Sequence, residues 1–139
     1  MATARDIMTP DPAFVRSGET VHTAAERMAE LGVGALPVCG EDGRLRGMIT
    51  DRDIVVKVIG AHRDPRSIDA GELAPGEVVT VGADDEVEDI LATMTNHQVR
   101  RLPVMDGDDL VGVVALADVA AALPDPKVGD LVHALSVDY

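Results

Sequence analysis

Displaced by 66 positions, the first half of this chain falls into register with the second. Val15 then meets Val81, Val21 meets Val87, Met28 meets Met94, and Leu36-Pro37-Val38 meets Leu102-Pro103-Val104. A one-residue deletion in the following turn carries the match onward through Leu45 and Leu110, Gly47 and Gly112, and Asp53 and Asp118. The lead-in segments agree in type as well, Ala4-Arg5-Asp6-Ile7 with Ala70-Gly71-Glu72-Leu73. Two long copies are too few for a solenoid, and they point to a pseudo-twofold pair.

Each copy carries the same pattern of elements. A short extended run (Ala13 to Val15; Val78 to Val81) precedes a segment with apolar residues at i, i+3, i+4 and i+7: Val21, Ala24, Ala25 and Met28, then Val87, Ile90, Leu91 and Met94. That spacing makes one apolar stripe on a helix. Two β-rich runs follow around a turn, Ala35 to Cys39 with Leu45 to Ile49 about Gly40-Glu41-Asp42-Gly43, and Leu102 to Met105 with Leu110 to Val114 about Asp106-Gly107-Asp108-Asp109. Glycine and aspartate between such runs make hairpins. A last helix starts near Asp51 or Leu116 and ends by Gly60 or before Pro124. The predicted class is therefore α/β, built from two β-α-β-β-α units. The expected boundaries are 1–62 for the first unit with its lead-in, 63–73 for a connector, 74–124 for the second unit and 125–139 for a tail.

Composition narrows the function. At 139 residues and 46% hydrophobic content the chain has enough core to need no disulfide or metal staple, and its one cysteine, Cys39, excludes an internal disulfide. A net charge of -13 repels a phosphate backbone, so nucleic acid is not an expected partner. No apolar run approaches the ~20 residues that span a bilayer, and the first residues lack a secretory pattern. The expectation is a cytoplasmic protein without membrane contact.

Gly47-Met48-Ile49-Thr50-Asp51-Arg52-Asp53-Ile54 places a hydroxyl and a carboxylate three residues apart where a strand gives way to a helix. A helix N-terminus attracts phosphate, a threonine hydroxyl adds a donor, and an aspartate one turn on can accept both hydroxyls of a ribose. Arg52 and Lys57 add positive charge. The same Thr-x-x-Asp spacing is equally that of a capping box, which needs no ligand. In the second copy Asp118 returns but Ala115 replaces the threonine, and a lone Asp118 also suits a helix dipole.

With hydrophobic-Pro-Val before the turn, Gly-h-h-Thr-x-x-Asp-h after it, and Ala4-Arg5-Asp6-Ile7-Met8-Thr9 at its start, the chain resembles the tandem cystathionine-β-synthase (CBS) domain pair, a Bateman-type module, over roughly residues 4 to 123. The resemblance implies a cleft between the copies that holds an adenosine compound: AMP, ADP, ATP or S-adenosylmethionine. It implies that Thr50 contacts phosphate and Asp53 ribose, and that a basic residue before hydrophobic-Pro-Val, here Arg101, also meets phosphate. The departures are specific. Ala35 stands where the second copy has Arg101, and Ala115 where the first has Thr50. The ligand-binding set is thus Thr50, Asp53 and Arg52 in the first copy and Arg101 and Asp118 in the second, with the first the stronger site.

No catalytic constellation is present. His22, His62, His97 and His133 have no ligand spacing and no cysteine partners, so no metal site is expected. Cys39 at the end of an apolar run reads as a small buried hydrophobe. The expected function is a non-enzymatic regulatory sensor that acts on an unknown protein partner in trans. The alternative is a scaffold dimer whose clefts have degenerated. A homodimer is expected because Ile54-Val55-Val56 with Val58-Ile59, and Val119 to Leu123, are apolar beyond a single stripe.

Overall fold

The computed structural model describes residues 2–74 and 78–123. By contacts the chain divides into two compact units, 13–78 on the one hand and 1–12 with 79–139 on the other.

The elements of the unit 13–78 are β2 (Val15–Arg16), α2 (Val21–Leu31), β3 (Ala35–Cys39), β4 (Leu45–Thr50) and α3 (Asp51–Ile54), the last continued by a π-helical segment over Val55–Ile59. Its sheet has the order β2-β3-β4, with β2 parallel and β4 antiparallel to β3. The core packs Val15, Val21, Met28, Leu36, Val38, Ile49, Ile54 and Val58. α2 starts on Thr20, whose hydroxyl accepts from Thr23 N at 3.1 Å, and stops at Gly32 in the left-handed region at φ 66°.

The other unit has α1 (Ala4–Ile7) and β1 (Thr9–Pro10) from the start of the chain, then β5 (Val81–Gly82), α4 (Val87–His97), β6 (Arg101–Asp106), β7 (Asp109–Ala115) and α5 (Leu116–Ala122). The sheet order is β1-β7-β6-β5. Its core repeats the first position by position: Val81, Val87, Met94, Leu102, Val104, Val114 and Val119. α4 ends at Gln98, the counterpart of Gly32, in the same left-handed conformation at φ 52°.

The repeat and the packing unit are not the same piece of chain. The lead-in of the first copy packs with the second, and that of the second packs with the first. Ala4 N donates to Asp85 O at 2.8 Å and Arg5 N to Ala83 O at 2.9 Å; in the other unit Ala70 N donates to Glu19 O at 2.7 Å and Gly71 N to Ser17 O at 3.0 Å. Thr3 bridges Glu86 as Thr20 bridges Asp69. Ala4 and Ala70 are both fully buried.

The α/β class and the helix–hairpin–helix order agree with the sequence reading, while three local features differ. The first strand of each copy is only two residues long and lies at the end of the expected run. The connector is ordered, with 3-10 turns at Pro65–Ser67 and Ala70–Leu73, and it buries Ile68, Ala70 and Leu73. Of the apolar segments expected on an outer face, the first exposes Val55, Val56 and Ile59, whereas Val119 and Leu123 are buried. The 125–139 tail, His133 included, lies outside the described residues.

Candidate functional site

Thr50 is the last residue of β4 and the N-cap of α3, held extended at φ -118° and ψ 160°. Asp53 N donates to Thr50 Oγ1 at 3.1 Å, and Thr50 N donates to Asp53 Oδ2 at 3.1 Å. The capping box is therefore closed in both directions. Asp53 Oδ1 faces Lys57 Nζ at 3.3 Å, one helical turn on. Arg52 is exposed on the same turn.

The helix start has already taken up its own amides. Asp51 N donates to Gly34 O at 2.9 Å, Arg52 N to Asp51 Oδ1 at 2.8 Å, and Asp53 N to Thr50. The backbone donors that would cradle a phosphate thus have protein partners. The side chains retain more capacity. Among the described residues Thr50 enters the box only as an acceptor, with its own proton left to donate, unlike that of Thr20, which goes to Thr23 Oγ1 at 3.1 Å. The Asp53 carboxylate still has lone pairs beyond Thr50 and Lys57. The capping and ligand readings consequently use different parts of the same two side chains.

In the second copy Asp118 Oδ2 accepts from Ala115 N at 2.8 Å, half of the same box with no hydroxyl to complete it. Leu116 N donates to Arg100 O at 2.8 Å. Arg101 opens β6 directly opposite Ala115, as Ala35 stands opposite Thr50 in the first copy. Each unit therefore keeps one of the two polar groups at this cross-strand pair: a hydroxyl in one, an exposed guanidinium in the other. Thr50, Asp53 and Lys57 are brought into direct contact, whereas Arg101 and Asp118 belong to the other unit. The capture of the Asp51 amide by Gly34 was not foreseeable, because it is set by the register of β3 against β4. Lys57, by contrast, was legible from its i, i+4 spacing to Asp53.

Two β-α-β-β-α copies in one chain, each with the same strand-to-helix corner, define a class. The CBS domain family matches residues 4–60 and 70–125, and the chain belongs to that family. It is 46% identical to Hypoxic response protein 1 of Mycobacterium tuberculosis over 135 residues, which is 97% of this chain and 94% of that protein. It is 40% identical to the CBS domain-containing protein YhcV of Bacillus subtilis, over 86% of this chain and 84% of that one. Among solved structures, Hypoxic Response Protein I with two coordinated zinc ions matches with a TM-score of 0.81 and 48% identity, over 88% of this chain and all of that one. CBSX2 in complex with AMP matches at 0.75 and 26% identity, over 88% and 96% respectively.

The Hypoxic Response Protein I structure, unlike that of CBSX2, is described with zinc. Among the described residues no group of three or more His, Cys, Asp or Glu side chains is placed to hold a metal ion. Cys39 is buried, and desolvation raises its thiol pKa. No described helix is long and apolar enough to cross a membrane.

Proposed function

We propose that this chain is a regulatory ligand-binding module without catalytic activity, whose first copy takes an adenosine-containing ligand (AMP, ADP, ATP or S-adenosylmethionine) and which acts in the cytoplasm on a separate protein partner. Thr50 donates its hydroxyl proton to a phosphate or carboxylate oxygen, and Asp53 accepts the ribose hydroxyls. The observation that carries this reading is the spare hydrogen-bonding capacity of Thr50 and Asp53 within a closed cap. The AMP complex of CBSX2 supports the ligand class. Arg52 adds charge beside the Asp53 carboxylate, and Arg101 with Asp118 forms a weaker second site.

The test is a thermal-shift and calorimetric titration with AMP, ADP, ATP and S-adenosylmethionine. A ligand at 100 times its Kd stabilises the fold by about 2.7 kcal/mol. Asp53→Asn should remove most of that shift, since a charge-assisted hydrogen bond contributes roughly 1.5–3 kcal/mol. An unchanged shift in Asp53→Asn, together with a shift lost in Asp118→Asn, would move the site to the second copy.

One observation favours the alternative, a scaffold without a nucleotide. The amides of Asp51, Arg52 and Asp53 are all engaged within the protein. Absence of any saturable binding by the four ligands would decide for it. Both readings include a homodimer, with Val55, Val56 and Ile59 at 60%, 52% and 55% exposure as the contact. Light scattering at a mass near 14.6 kDa would refute the dimer.

A further inference from the structure

A groove in the unit 13–78, with a volume of about 440 Å³, is lined by Phe14, Arg16, Glu19 and Arg27. Its polar groups are unequally engaged. Arg27 Nη1 donates to Phe14 O at 2.7 Å and to Glu19 Oε1 at 3.3 Å, and Arg27 Nη2 donates to Glu19 Oε2 at 3.1 Å. Glu19 Oε1 also accepts from Arg16 N at 2.9 Å. Both oxygens of the one acid in the groove accept from Arg27, which acts as a strut. The Arg16 guanidinium has no carboxylate within ion-pair distance among the described residues, although the chain as a whole is strongly acidic. Beside it Phe14, the sole phenylalanine, is 41% exposed.

The internal repeat separates what the fold requires here from what it does not. At the equivalent positions the second copy has Thr80, Gly82, Asp85 and Thr93. It keeps the turn hydrogen bond, with Gly82 N donating to Asp85 Oδ2 at 2.8 Å. It builds the same strand-to-helix corner without an aromatic ring and without either arginine. The ring and the Arg16 guanidinium are therefore additions that the architecture does not demand.

We propose that this groove binds a small aromatic carboxylate, with the carboxylate on Arg16 and the ring on Phe14. A planar guanidinium matches a carboxylate through two parallel hydrogen bonds, and an exposed ring offers a flat apolar face. The volume suits a molecule of one or two rings, within the usual range of ligand pockets. All four lining residues lie apart in sequence from Thr50 and Asp53, so the proposal does not depend on the nucleotide reading.

The experiment is a titration of the full chain with benzoate, followed by the Nε–Hε signals of Arg16 and Arg27 and the backbone amides of residues 14–27 in NMR spectra. Saturable shifts centred on Arg16 are expected, weakened about tenfold or more in Arg16→Gln and in Phe14→Thr. Benzamide, which has the ring without the charge, should give no saturable shift. The proposal is overturned by the absence of saturation with benzoate, by equal affinity in Arg16→Gln, or by benzamide binding as well as benzoate. Phe14→Thr borrows the residue of the second copy, and Arg16→Gln changes an exposed side chain. If either failed to fold, the other would still decide.

Discussion

Asp53 closes the start of α3 with one carboxylate oxygen, 3.1 Å from the Thr50 amide nitrogen, and holds the other 3.3 Å from Lys57 Nζ. The two halves of the side chain do separable work. Asparagine keeps an oxygen for the Thr50 amide but loses the charge facing Lys57. In unliganded protein Asp53→Asn should therefore cost less than about 1 kcal/mol, as expected for a partly exposed ion pair. Thr50→Val, which removes the acceptor for Asp53 N, should cost about 1 kcal/mol, and Thr50→Ser much less. Urea denaturation of the three variants checks this order.

The reciprocal lead-ins give a second expectation. Ala4 and Ala70 are fully buried at equivalent positions. Enlarging either overpacks a different unit, so Ala4→Leu and Ala70→Leu should each cost about 1–3 kcal/mol. Amide exchange should rise in residues 79–123 for the first variant and in residues 13–74 for the second.

Gln98 pays for a left-handed backbone at φ 52° that Gly32 adopts freely at the matching helix end. Gln98→Gly should stabilise the protein by up to about 1 kcal/mol, and Gly32→Gln should destabilise it by a similar amount. Paired melting curves test the two signs together.

Acid should weaken the fold through carboxyls held below their ordinary range. The Arg27 fork, followed by the Arg16 amide, lowers the Glu19 pKa from its ordinary 4.5. The Arg44 amide lowers that of Asp42, and the Thr3 backbone amide that of Asp6. The folded state then binds fewer protons than the unfolded one, so this stability is fully present above pH 4.5 and is lost as pH falls through the lowered values. Glu19→Gln should flatten the decline below pH 4.5 and cost about 0.5–1 kcal/mol at pH 7. Denaturation at pH 7, 4 and 3 measures both effects.

Cys39 is 3% exposed, and burial raises its thiol pKa. It should react with a thiol reagent at pH 8 no faster than the protein opens, and promptly in denaturant. Immediate labelling in native buffer would contradict the packing of β3.

Much of this was legible in the chain itself. Matched apolar positions such as Met28 and Met94, or Leu36 and Leu102, carried the helices and hairpins because each occupies one core site in its own copy. The site was half legible. Thr-x-x-Asp suits a cap and a ligand alike, and only geometry shows that the cap, among the described residues, uses the threonine as acceptor alone. The partner of each lead-in was not legible. Ala4-Arg5-Asp6-Ile7 and Ala70-Gly71-Glu72-Leu73 are alike, and likeness says nothing about which copy each will join. The same holds for the connector, whose buried Ile68, Ala70 and Leu73 follow no single period.

The crossed lead-ins also set an order of events during synthesis. Everything in the unit 13–78 is available once that stretch has left the ribosome, and its strand pairs are mostly near neighbours in sequence. Among the described residues, those at 2–12 pair instead with the other unit, Thr9 with Val113 near the far end of the described chain. Their pairing with β7 is a contact between residues far apart in sequence, the kind that raises contact order and slows folding. An N-terminal tag or fusion thus burdens the half of the protein that is made last.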